Sequence, residues 1–263
     1  MLLLTFIKTT SIAITLRIFL LILLSFTSYY SIAEKAKISI IIDDIGYRKT
    51  DCDVLKLPTN ITLSVLPHTP YGKSLALQGF EKHHEIMLHI PMEAENGKFL
   101  GPGGLTSNMD EISIREKLND AFTEVPFAIG INNHMGSLLT TRPQSMLWVM
   151  QFLKEKDVVF VDSITSSKSQ ASAIAKQLGI PALERDIFLD NKLEHKYIAK
   201  QFALLIERAK EHKMAIAIAH PHPETIHALL KLLPLLDQQS VELVPVSQLF
   251  ERQQYLKETR HTE

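Results

Sequence analysis

The chain has 263 residues, 22% of them charged and 46% hydrophobic, with 28 Lys and Arg against 29 Asp and Glu. A balance this close to zero, with no Lys/Arg-rich stripe, excludes a protein that holds nucleic acid by neutralising its phosphates. The charge fraction and apolar content exclude a disordered chain, and the length fits one large domain or two small ones.

Residues 1–33 differ from the rest. They contain no Asp or Glu, only Lys8 and Arg17 as cations, and an apolar run over 18–26. Ser31-Ile32-Ala33 then places small residues at the two positions a signal peptidase reads. The run is shorter than the roughly 20 apolar residues of a membrane span, so a cleaved export signal is the expectation. The apolar start over residues 1–7 keeps an uncleaved anchor as the alternative. Export places the protein in the periplasm or cell envelope, with membrane contact only if the segment is retained. Residues 34–263 then form a single domain. Cys52 is the only cysteine, so no intrachain disulfide forms.

From residue 38 the same alternation recurs. Strand-like runs are predicted over 38–42, 61–66, 85–89, 128–132, 158–161, 182–186, 215–219 and 241–244. Their near-continuous apolar character suits strands covered on both faces, as in parallel sheets. Amphipathic segments lie between and after them, over 71–82, 111–122, 144–154, 170–178, 194–213, 225–233 and 247–257. Gly179 and Pro181 mark the end of one helix. This alternation predicts an α/β fold, a (β/α) barrel of seven to eight parallel strands, with an open doubly wound sheet as the rival. No G-x-G-x-x-G or Walker loop follows any strand, which counts against a nucleotide-binding version.

The C-terminal ends of these strands carry the chemistry. The first ends in Asp43-Asp44, the second leads to His68, and the third ends at His89. The fourth leads through Asn132-Asn133 to His134, the fifth ends at Asp162 and the sixth at Asp186. The seventh ends at His220, with His222 beyond. In a parallel barrel these ends converge on one face, so an Asp/His cluster is expected in one cleft. Such ligands suit a borderline divalent metal, with zinc the default. A second carboxylate as general base and a distant His as general acid would complete the hydrolysis of an amide or ester.

Six stretches carry a resemblance. They are Ile41-Ile42-Asp43-Asp44-Ile45-Gly46, His84-Glu85-Ile86-Met87-Leu88-His89, the run 130–137 around Asn132-Asn133-His134, Phe160-Val161-Asp162-Ser163, Arg185-Asp186-Ile187-Phe188-Leu189-Asp190, and Ala217-Ile218-Ala219-His220-Pro221-His222-Pro223. In this order they resemble the divergent polysaccharide deacetylases, relatives of the NodB-type carbohydrate esterases. The resemblance implies a NodB-like barrel, and a divalent metal, zinc by default, acting on a polysaccharide or peptidoglycan-like glycan. It implies Asp43 as general base, Asp44 as first metal ligand, His89 as second and His220 as general acid. The family's H-x-x-x-H pair is broken, because Glu93 stands where the second His would be. The third ligand is then His134, with Glu93 as the alternative; Pro91 extends the backbone between His89 and Glu93 and favours His134.

Arg185 with Asp186 is expected to replace the family's arginine–proline motif, and these two with Asp162 and Tyr47 are the substrate-binding candidates. Asp162 and Ser163 could equally be structural hydrogen-bonding groups. The glycine-bearing stretch 92–109 follows His89 and is expected to grip substrate, with Tyr47 and Phe99 as sugar-stacking rings. His68 and His222 are expected to line the cleft, and His83 and His84 to lie on the surface at a helix end. A different metal hydrolase on the same barrel, an amidase or phosphoesterase, is a rival reading. So is an envelope protein that kept the fold, lost turnover, and binds a glycan or a partner.

Overall fold

Nine strands alternate with seven helices in the computed structural model, which describes residues 35–260; the expected export segment lies outside them. The strands are β1 (Ala36–Ile45), β2 (Thr62–Val65), β3 (Ile86–Met92), β4 (Gly130–Met135), β5 (Val159–Asp162), β6 (Ala182–Glu184), β7 (Ile187–Phe188), β8 (Met214–Ala219) and β9 (Val241–Leu243). The helices are α1 (Gly72–Glu81), α2 (Glu111–Glu124), α3 (Pro143–Lys156), α4 (Ala171–Leu178), α5 (His195–His212), α6 (Pro223–Leu232) and α7 (Val246–Arg260). Among the described residues no helix is long and apolar enough to cross a membrane.

All the strand pairings are parallel, in the order β6-β5-β4-β3-β2-β1-β8-β7, with β9 beside the start of β1. The sheet curls into the expected (β/α) barrel. β7 was not anticipated: two residues are too few to show a period. It continues the extended run that begins with β6, and that run bridges the ends of the sheet. The Arg185 amide donates to Asp162 O on the β5 side, and the Asp186 amide donates to Ile216 O on the β8 side.

Period-two alternation sorts β1 between two cores. Ile38, Ile40 and Ile42 face the larger core under the helices, while Ile41 faces a smaller one inside the barrel. Met87, Val161, Leu183, Ile216 and Ile218 fill that interior with Ile41, and Val244, Val246 and Leu249 join them from the last strand-to-helix segment. Burial on both faces is why β1 reads as an apolar run.

Local chemistry sets the boundaries. Asp110 caps α2 by accepting the Ser113 amide, and Gly179 ends α4 in the left-handed region, at φ 72°. Gly46, at φ 137°, lies so close to Thr69 Oγ1 that a Cβ would sit 2.1 Å from it. β3 runs on through Pro91, past the last β2 pair at Leu88, so the missing N–H costs no ladder bond there. The 3₁₀ helix Lys49–Lys56 has no counterpart in the sequence reading.

Candidate metal centre

Neighbouring residues of a strand point to opposite faces, so Asp43 and Asp44 cannot both face the barrel mouth on a regular strand. The β1–β2 register breaks between Ile42 and Ile45, and Asp44 takes a left-handed backbone, at φ 59°. This bulge re-aims Asp44 into the mouth beside Asp43. His89 comes from β3, and β4 contributes Asn132 and His134, two residues apart and therefore on one face.

Three of these side chains meet. His134 Nδ1 lies 2.7 Å and His89 Nε2 3.1 Å from Asp44 Oδ1, and the two nitrogens are 3.2 Å apart. Asp44, His89 and His134 each offer a ligand atom within 4.8 Å of the others. Asp44 Oδ1 is buried, yet neither imidazole is aligned to give it a hydrogen bond. One carboxylate oxygen and two ring nitrogens crowded around one point fit a divalent cation of zinc's type, with three protein ligands and a place left open. Burial pushes the Asp44 carboxyl up, but the His134 and His89 rings outweigh it and hold it well below the usual carboxylate range.

Asn132 organises the layer beneath. Its Nδ2 donates to Asp43 Oδ1 at 2.7 Å, and its Oδ1 accepts from Ser64 Oγ at 2.6 Å and from His89 Nδ1 at 2.7 Å. Asp43 is buried; its other oxygen lies 3.6 Å from His89 Nδ1 and, among the described residues, accepts no hydrogen bond. Burial raises the Asp43 carboxyl, against the opposing pull of His89 and Asn132.

His220 closes the site from β8, its Nε2 3.9 Å from Asp44 Oδ2. Its Nδ1 donates to Asp190 Oδ1 at 2.9 Å, while Asp190 Oδ2 accepts the His220 amide at 2.7 Å and Thr225 Oγ1 at 2.8 Å. Burial disfavours the imidazolium, but Asp190 outweighs it and the group is pushed up to about 9. The His220 ring stacks on Phe188, and Arg185 Cζ sits 3.8 Å from the centre of that Phe ring. The Arg185 guanidinium donates to Ser163 O and Ile164 O, within electrostatic reach of Asp43.

Other candidates are placed elsewhere. Glu93 does not join the cluster: its Oε2 accepts the Ser107 amide at 2.6 Å, because the extended backbone through Pro91 carries it past the mouth. Asp186 is not at the site either; its carboxylate accepts the Ile216 amide, four residues before His220 on β8. Asp162 is buried, and its two carboxylate oxygens accept from the Ile164 amide and Ser169 Oγ. Ser163 is likewise held, by Asn133. Tyr47 is half exposed and its hydroxyl lies against Gly101, while Phe99 is 92% exposed. His68 pairs with Glu124 instead of the cluster, and His222 stands beside His220. His84 corrects the surface expectation: it is 3% exposed, its Nδ1 donating to Ile61 O. Asn132, Ser64 and Asp190 escaped the sequence reading, although Asn132 and Asp190 lie in stretches that carried the resemblance.

Residues 40–250 match the family model described as "Divergent polysaccharide deacetylase". The chain belongs to this family. An uncharacterized protein of Haemophilus influenzae is 36% identical over 231 residues, covering 86% of this chain and 81% of its own. Among solved structures, the uncharacterized ATU2773 of Agrobacterium tumefaciens superposes with a TM-score of 0.78 at 23% identity, over 84% of this chain and 91% of its own. The T48 deacetylase, solved with substrate, superposes at 0.52 with 14% identity, over 83% and 92%. At these identities the structures show the fold alone, the NodB-like barrel. For this member of the family, the residues at the barrel mouth carry the functional argument.

Proposed function

We propose that the protein is an exported hydrolase that uses zinc to remove N-acetyl groups from an envelope or exported polysaccharide. The observation that carries this reading is the convergence of Asp44, His89 and His134 beside two groups suited to moving protons, Asp43 and His220. Zinc bound there would supply Lewis acidity toward an amide carbonyl. Asp43 has one oxygen free of hydrogen bonds among the described residues, so it takes the proton of the attacking water. His220, held as the cation by Asp190, gives a proton to the departing amine. Arg185, stacked on Phe188, places positive charge near Asp43 and disfavours its protonated form. The composition of residues 1–33 supports export to the periplasm or envelope, where such a glycan is met.

The test is zinc content and deacetylation rate on an N-acetylglucosamine polymer. Asp44→Ala should lose the metal. Asp43→Asn and His220→Ala should keep fold and zinc while turnover falls by roughly 10²–10⁴. Equal rates in wild type and Asp43→Asn would remove the general-base role. Glycan binding without wild-type turnover on any N-acetylated glycan would make the protein a binder on the same fold.

A further inference from the structure

Glu93 occupies a junction. β3 ends one residue before it, and three parts of the barrel mouth bond to it or beside it. Its amide donates to Leu105 O at 2.9 Å, while the Leu105 amide donates to Pro91 O at 2.8 Å, so the return leg of the long loop runs beside the end of β3. Its carboxylate accepts the Ser107 amide at 2.6 Å. Its carbonyl accepts the amides of both Leu138 and Leu139 at 3.0 Å, in the segment that follows His134. The neighbouring Glu95 amide adds a bond to Ser137 Oγ.

Between these anchors the excursion over 94–104 crosses toward the ends of β1 and β2. A Cβ at Gly101 would meet the Tyr47 hydroxyl at 2.4 Å, and one at Gly103 would meet His68 Cδ2 at 3.0 Å. The loop therefore spans the C-terminal ends of the strands that carry His134, His89 and Asp44, and it holds Phe99 almost fully in solvent. An exposed aromatic ring on a tethered loop at a cleft mouth suits the apolar face of a sugar ring. A carboxylate accepting a backbone N–H makes a charge-assisted bond, stronger than a neutral one.

We infer that Glu93 is a positioning residue, strapping the 94–107 loop and the turn after His134 into one rigid rim that grips the glycan. The strap stands on the hydrogen bonds alone; the glycan it serves rests on the deacetylase reading. Preorganising such a rim lowers the ordering cost of binding, so its loss appears in substrate affinity rather than in chemistry.

The experiment compares full-length wild type, Glu93→Ala and Glu93→Gln by three measurements: zinc affinity, amide hydrogen exchange across 94–107, and KM and kcat on N-acetylglucosamine oligomers. Glu93→Ala should leave zinc binding unchanged, speed exchange at the Ser107 amide at least tenfold, and raise KM by about tenfold with kcat within about twofold. Glu93→Gln keeps an acceptor oxygen and should restore most of the exchange protection and KM. Loss of zinc in Glu93→Ala would overturn the inference in favour of a ligand role. Unchanged exchange and KM in Glu93→Ala would overturn it as well. If wild type turns over no glycan, the deacetylase reading fails, and the exchange data still decide whether Glu93 holds the loop.

Discussion

Asn132 sets the tautomer of His89 by elimination. Its amide nitrogen must face Asp43, because a carboxylate oxygen only accepts, and its carbonyl oxygen is then left to face His89 and Ser64. His89 Nδ1 must therefore carry the proton, which frees Nε2 for the point it shares with Asp44 and His134. Such a partner beneath a ligating imidazole is typically worth 10–100-fold in metal affinity. Asn132→Ala should weaken zinc binding by about that factor, read by competition with a chelator. Asn132→Asp should do no better, since two carboxylates would then face each other where Asn132 and Asp43 now bond. Wild-type zinc affinity in Asn132→Ala would show that His89 needs no such orientation.

The β3 element couples the cores to the site. It begins beside His84, whose ring is buried and bonded to Ile61 O, and ends where Glu93 takes over. Burial lowers the His84 pKa below its ordinary 6.5, against the opposing effect of the bond to Ile61 and with help from Lys82. The folded state then binds fewer protons than the unfolded one in this range. The His84 contribution to stability is full above about pH 6.5 and is lost as pH falls through that value toward the folded pKa. Urea unfolding at pH 7.5 and 5.5 should therefore show a larger loss for wild type than for His84→Gln. The difference between the two proteins isolates His84 from His89 and His220, whose shifts run the other way. An identical loss in both would place the sensitivity elsewhere.

Across the described residues, the Asp/His cluster and the last helix sit at opposite ends of the barrel. The mouth carries Asp43, Asp44, His89, His134 and His220, while α7 closes the base with Val246 and Leu249 against the interior cluster. Leu249 is fully buried. Leu249→Ala should cost about 2–5 kcal/mol through lost burial and the cavity left behind. Thermal unfolding should register that loss while the folded protein keeps wild-type zinc affinity, because no ligand touches the base. A variant that lost zinc before it unfolded would show the two ends to be energetically linked.

Most elements of the barrel were legible in the sequence because hydrophobic periodicity belongs to a segment on its own. A run such as Ile38-Ser39-Ile40-Ile41-Ile42 announces a doubly covered strand wherever it is placed. The gathering of Asp and His at one face was legible too, since parallel strands must present their C-terminal ends together. What the tertiary structure alone decided is which of those groups touch. Asp44 reaches the cluster only because a bulge gives it a left-handed backbone, and Asp186, at another strand end, is diverted to a backbone amide. Glu93 sits four residues from His89 and still turns away, while His134, 45 residues distant, comes within 3.2 Å of it. That contact is set by the β3–β4 register, which pairs His89 with Asn132 and Pro91 with His134. Register is a property of two strands together, and a shift of one residue would turn each of those side chains to the other face of the sheet.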